Sequence, residues 1–170
     1  MKKVFKIFGI GFLVLMAITF ASNIVASRLY LQQPVQTPKP TASGGVSVYQ
    51  IADMISESCD QVFYRRYYTD LDEQNKIFRV YTWQDDLNAD LIERTKQGNN
   101  EDVWNKLVSD IVSTANTMQS SFDELGHEEY TCVLNVCDPE DPDIIYLSIA
   151  QGVVGYDVVR GIDLMNNPEG

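Results

Sequence analysis

The sequence predicts an α+β domain that follows an N-terminal membrane segment and a flexible linker. Residues 7–27 are uncharged, and residues 32–45 are rich in proline, glycine and small polar side chains. After residue 45, helical and strand-like patterns alternate along the chain. These patterns predict the element order αββααβββ, with a mostly antiparallel sheet covered by a long helix.

The N-terminal segment, residues 1–28, is expected to enter a membrane. Three lysines precede the uncharged run 7–27, and a helix of that length rises roughly 31 Å, about the thickness of the hydrocarbon core. An uncleaved signal anchor and a cleaved signal peptide both fit the pattern. Because positive residues stay in the cytoplasm, either reading places the chain after Arg28 outside it. The expectation is a single-pass membrane protein with an extracytoplasmic C-terminal domain, or a secreted one.

Composition also divides the remaining chain. Residues 29–45 have the composition of a flexible spacer that cannot pack a core. Residues 46–163 have the length of one domain, and residues 164–170 form a tail. All 24 acidic residues but only eight basic ones follow residue 45, giving this part a net charge of −16. Such a surface repels phosphate, so nucleic acid is not an expected partner.

The first helix is expected directly after residue 46. Ser47 and Gln50 match a capping box, and the apolar residues that follow recur on one helical stripe. The members of this stripe are Val48, Ile51, Ile55, Cys59 and Val62.

Two arms rich in aromatic and β-branched residues follow, around a polar turn. They predict a β-hairpin with arms at about 62–69 and 76–83. A short helix should come next, capped by Asp85 or Asp86 and ended by Gly98.

A long helix is predicted between Asn99 or Asn100 and Gly126. Its apolar positions recur at alternating spacings of four and three: Trp104, Val108, Ile111, Ala115, Met118, Phe122 and Leu125. This stripe is typical of a dimerising coiled coil or of a helix lying across a sheet. Further apolar residues widen the stripe, which favours the sheet-covering helix.

Three strands are expected at 129–137, 144–150 and 153–159. Gln151 and Gly152 make a two-residue connection, which predicts a hairpin between the last two strands. Short turns join antiparallel strands, so the sheet should consist of a hairpin and a meander.

The three cysteines permit one bridge between elements. Cys132 and Cys137 stand five residues apart in a predicted strand, about 16 Å, whereas a disulfide needs Cα atoms within about 7 Å. Cys59 and Cys132 both lie on apolar faces, so they form the expected disulfide in an oxidising compartment. The alternative is that all three cysteines are small buried hydrophobes.

Four carboxylates crowd the turn after residue 137: Asp138, Glu140, Asp141 and Asp143. Calcium takes several oxygen ligands, so this turn is a candidate calcium site. The alternative is a stiff turn built around Pro139 and Pro142. The sequence predicts no other cofactor.

The hairpin concentrates aromatic and arginine side chains, the residue types that dominate interface hot spots. The candidate binding residues are Tyr64, Arg65, Arg66, Tyr67, Tyr68, Arg79, Tyr81 and Trp83. The alternative is ordinary packing of aromatic side chains across strands.

No nucleophile elbow, nucleotide-binding loop or zinc-binding motif occurs in the sequence. The first hypothesis is therefore a membrane-tethered extracytoplasmic binding module of the cell envelope, monomeric or weakly dimeric, whose partner is a protein or another envelope component. A second hypothesis is an extracytoplasmic hydrolase that uses Cys137 with His127, or carboxylates. A third is a structural component that oligomerises through the stripe 104–125.

Overall fold

The computed structural model describes residues 45–164 and residue 166. The predicted membrane segment 1–28, the linker 29–45 except Gly45, and most of the tail 164–170 lie outside the described residues. None of the described helices is long and apolar enough to cross a membrane.

The described residues form an α+β fold, which confirms the predicted class. The element order is αββααββββ, so one short strand was not predicted. The elements are α1 (Val48–Val62), β1 (Tyr67–Asp72), β2 (Ile77–Trp83), α2 (Ala89–Lys96), α3 (Glu101–Glu124), β3 (Thr131–Cys137), β4 (Ile145–Ala150), β5 (Val153–Asp157) and β6 (Ile162–Asp163).

The strands form one six-stranded mixed sheet in the order β1-β2-β3-β4-β5-β6. The predicted hairpin (β1–β2) and meander (β3–β5) are both present and antiparallel. They are joined side by side through a parallel pairing of β2 with β3, in which Ile77 lies opposite Thr131 and Trp83 opposite Cys137. Parallel neighbours require a long crossover connection, and α2 and α3 provide it.

The local signals for the first two helices were only partly correct. The predicted capping box is present, because Ser47 N–H donates to Gln50 Oε1 at 2.8 Å and Gln50 N–H to Ser47 Oγ at 3.3 Å. However, α1 continues to Val62 and a left-handed turn follows, so β1 begins at Tyr67 and not at residue 62, where the predicted arm 62–69 begins. The caps Asp85 and Asp86 are also wrong. Asn88 caps α2 by accepting the N–H of Leu91 at 3.0 Å.

Helix α3 lies across the sheet with its apolar stripe in the core. The Phe122 ring lies 5.6 Å from that of Phe78 in β2, and Met118 and Ala115 are fully buried. Gly126 ends the helix with a φ of +84°, and the N–H of the next residue bonds back to Phe122 O at 2.9 Å. Because the sheet already covers this stripe, the coiled-coil alternative has no apolar seam to use.

A buried carboxylate that the sequence did not reveal fixes the end of the meander. Asp157 is completely buried. Its oxygens accept the Trp104 Nε1–H at 3.1 and 3.2 Å, and Oδ1 also accepts the N–H groups of Val159 and Arg160, both at 3.0 Å. One side chain therefore joins the start of α3 to the turn between β5 and β6.

We expect Asp157→Ala to lower the free energy of unfolding by about 2–4 kcal/mol, because it leaves several buried donors without an acceptor. Urea denaturation followed by circular dichroism measures this change. Asp163 also accepts a backbone N–H three residues ahead, but it is only half-buried and its hydrogen bonds all come from Asn166, so Asp163→Ala should cost less than about 1 kcal/mol. Equal losses in the two variants would contradict the role assigned to Asp157.

Candidate binding face of the sheet

The two faces of the sheet differ in what covers them. One face presents Phe78, Val80, Leu134 and Ile149 to the core formed with the helices. On the other face, one side chain from each strand lies opposite the next across the whole sheet. We call this set the tyrosine row; it consists of Tyr68, Tyr81, Asn135, Ser148, Tyr156 and Asp163.

Two stacked tyrosines begin the row. The rings of Tyr68 and Tyr81 are 4.4 Å apart between centroids and nearly parallel, with an interplanar angle of 10°. Tyr68 is 40% exposed. Partial burial, followed by the neighbouring phenol, raises the pKa of Tyr68, so its hydroxyl stays protonated at neutral pH. The pair is therefore a rigid apolar platform with hydrogen-bond donors at its rim.

The centre of the row contains polar atoms without partners. Asn135 and Ser148 lie opposite each other on β3 and β4, and both are buried. In the described part of the chain, Asn135 Oδ1 and Ser148 Oγ accept or donate no hydrogen bond. A buried polar group left unpaired costs about 1–3 kcal/mol. The row therefore has unused hydrogen-bonding capacity between its flanking tyrosines.

The structure divides the predicted binding residues into groups. Tyr68, Arg79, Tyr81 and Trp83 alternate onto the face of the tyrosine row, by their position in β1 and β2. Arg79 is held there by Asp70 at 2.9 Å.

The other four predicted residues do not lie on this face. Tyr67 points to the helical side, where its hydroxyl donates to Ser56 O at 2.7 Å and burial raises its pKa to about 12. Tyr64 and Arg65 occupy the turn after α1, and Arg66 pairs with Asp85. The eight residues therefore do not form one surface.

The acidic turn is organised by hydrogen bonds from its own backbone and from Tyr146. Asp138 Oδ1 accepts the N–H groups of Glu140 at 2.8 Å and Asp141 at 3.2 Å, and Tyr146 donates its hydroxyl to Oδ2. These bonds, that from Tyr146 foremost, lower the pKa of Asp138. Across residues 45–164 and 166, no group of three or more His, Cys, Asp or Glu side chains is placed to hold a metal. The calcium site at Asp138, Glu140, Asp141 and Asp143 stays a prediction.

The cysteines and the histidine are kept apart. Cys59 and Cys132 are free thiols in the structure, both fully buried in the same core, so the expected bridge stays a prediction. Cys137 ends β3, whereas His127 precedes its start and contacts Val46 O through Nε2 at 2.8 Å. The length of β3 separates the two by roughly 20 Å. The Cys–His pair that a hydrolase of this type needs is therefore absent from the described fold.

Comparisons with known proteins supply no analogue for this face. No family model, curated protein or solved structure matches the chain.

Four members of the row were not predicted as site residues: Asn135, Ser148, Tyr156 and Asp163. In a strand over 129–137, alternation of side chains puts Asn135 on the face opposite Cys132 and Leu134. A polar residue inside a largely apolar strand is the one signal that could have drawn attention to it. Its neighbours could not be found, because the sequence does not reveal the register between β2, β3 and β4.

We expect the acidic turn to make the domain sensitive to acid. The pKa of Asp138 is lowered from 3.8 in the folded protein, so its contribution to stability is present at neutral pH and is lost as the pH falls through the lowered value. Asp138→Asn should therefore flatten the decline of unfolding free energy below about pH 4. Melting curves between pH 7 and pH 2 test this, with the exposed neighbour Glu140→Gln as the matched control. Identical pH profiles for Asp138→Asn and the wild type would contradict it.

We expect all three thiols to resist alkylation in the native protein. Burial blocks access and raises the pKa of Cys132 to about 12 and of Cys137 to about 11. Mass spectrometry after iodoacetamide treatment at pH 8 should find no adduct. The same treatment in denaturant without reductant decides the predicted bridge, since a Cys59–Cys132 disulfide leaves one reactive thiol and its absence leaves three. Rapid native labelling of Cys137 would show that the face is not packed as described.

Proposed function

We propose that this chain is a membrane-tethered extracytoplasmic binding module that engages a protein or another component of the cell envelope without catalysis. The observation that carries the proposal is the stacked pair of Tyr68 and Tyr81 on the sheet face opposite the helices. The uncharged run 7–27 after three lysines supports the membrane tether and the extracytoplasmic location.

The chemistry of the face suits recognition. Tyrosine provides large contact area with little loss of conformational entropy, and its hydroxyl adds directional bonds. Asn135 and Ser148 form a buried polar centre between Tyr81 and Tyr156, so a partner on this face contacts the tyrosine side chains that cover it. All of these side chains stand on strands, so the partner meets a surface that is already ordered.

The face can be tested by site-specific photo-crosslinking in cells that express the full chain. We expect benzoyl-phenylalanine at position 68 to give a discrete adduct, because Tyr68 leads the proposed contact surface. The matched control is position 49 on α1, where the tyrosine is 54% exposed but lies away from the row. The adduct at position 68 should weaken by about tenfold in Tyr81→Ala, which removes half of the stacked pair.

Adducts of the same size and yield at both positions would contradict the proposal, because they would report exposure and not a specific face. The stability of Tyr81→Ala must be measured in parallel. A variant that is folded by circular dichroism yet keeps the full adduct also counts against the face.

A further inference from the structure

We propose that the outer edge of β1 accepts an extended cationic segment of a partner protein as an additional strand. This inference rests on the proposed function, because it specifies how the partner of the same module is held. The proposed strand pairs with the outer edge of β1, whereas the tyrosine row lies on the face of the sheet.

Strand β1 is a regular strand at the end of the sheet. Its six residues pair with β2 without a register shift, and it contains no proline. Among the described residues no strand pairs with its other side. Such an edge is a ready template for an extended peptide.

The direction of the free backbone groups follows from one hydrogen bond. Trp83 N–H donates to Arg66 O at 3.2 Å, so residues 66 and 83 form a hydrogen-bonded pair at the start of the ladder. In an antiparallel ladder such pairs alternate with pairs whose N–H and C=O groups point away. Tyr67, Thr69 and Leu71 therefore turn their backbone groups outward.

Acidic side chains of α1 flank this edge. Ser56 places one side of α1 beside β1, because its carbonyl accepts the Tyr67 hydroxyl and its Oγ lies 3.3 Å from Thr69 Oγ1. Asp53, Glu57 and Asp60 follow the same side at helical spacings of four and three, and all three are exposed. Within the described part of the chain, none of the three carboxylates has an ion-pair partner.

The negative charge of these α1 carboxylates favours a positively charged segment at the β1 edge over a second copy of the chain. A second copy of the chain would bring another 24 acidic and only eight basic residues beyond position 45, and its own β1 would place Asp70 and Asp72 at the same edge. An extended segment with lysine or arginine at alternate positions instead places its charges along α1. Its other side chains then lie beside Tyr68, where apolar residues fit.

The test uses the full chain in zwitterionic nanodiscs and a blocked heptapeptide of alternating lysine and valine. We expect the peptide to slow amide hydrogen exchange at Tyr67, Thr69 and Leu71. A peptide with glutamate in place of lysine should give no protection. Unchanged exchange at these amides with millimolar lysine peptide at low salt would overturn the proposal.

A pair of variants at Thr69 separates the backbone contact from the side chain. Thr69→Pro removes an outward N–H but no bond of the β1–β2 ladder, and we expect it to weaken peptide binding by about tenfold. Thr69→Val keeps the N–H and loses only the contact with Ser56, so its affinity should stay within about threefold of the wild type. Equal weakening in both variants would overturn the edge contact.

Charge variants keep the test decisive if Thr69→Pro fails to fold. Asp53→Asn with Glu57→Gln should weaken binding by at least about fivefold at low salt, whereas Asp86→Asn with Glu140→Gln, exposed acids elsewhere, should not.

Edge protection without any peptide, together with dimers in sedimentation, would identify a second copy as the occupant and overturn the cationic partner. A crosslink at position 68 without edge protection refutes this inference alone, and edge protection without that crosslink refutes only the proposed face.

Discussion

The parallel pairing of β2 with β3 is the contact on which the rest of the domain depends. It joins two antiparallel units into one sheet, and it sets Val80 opposite Leu134 on the core side. Because parallel strands require a long crossover, α2 and α3 must return along the sheet, which brings Phe122 against Phe78. The same register places Tyr81 opposite Asn135 on the other side. A slip of one residue would exchange the two faces, so core and candidate site are fixed together.

Signals contained within a few neighbouring residues could be read from the sequence. The capping box at Ser47, the helix end at Gly126 and the two-residue turn at Gln151 are all present. Errors occurred where two local signals competed. Two aspartates precede Asn88, and Asp and Asn are both good caps. Only the residue that begins the regular helix has its carbonyl placed to accept an N–H of the first turn, as Asn88 O accepts the N–H of Ile92 at 3.0 Å. The early start of the hairpin has a similar cause, since β-prone aromatics follow a helix whose apolar stripe extends to Val62.

Contacts between distant residues could not be read in the same way. Asp157 and Trp104 are 53 residues apart, and nothing in the chain near either one marks them as partners. The acidic turn illustrates the opposite problem. Its carboxylates suggested a cation, yet Asp138 is committed to two backbone N–H groups and Tyr146. Composition reports the charge of a segment, whereas only geometry reports which lone pairs are already used. Tyr67 and Tyr68 likewise point to opposite faces of the sheet, and only the structure shows which of the two faces the helices.

At the centre of the tyrosine row, two polar side chains lower the stability of the fold at the place where we propose that a partner binds. Asn135 and Ser148 occupy buried positions on central strands, where valine would pack without leaving any atom unpaired. Places at which a sequence departs from the choice that favours stability are where binding sites are expected. Here the departure lies beside a stacked aromatic pair, at the middle of the same row. Because both atoms are buried, a partner could supply the missing donor and acceptor only by displacing the side chains that cover them, and the energy of unpaired burial would then become part of the energy of binding.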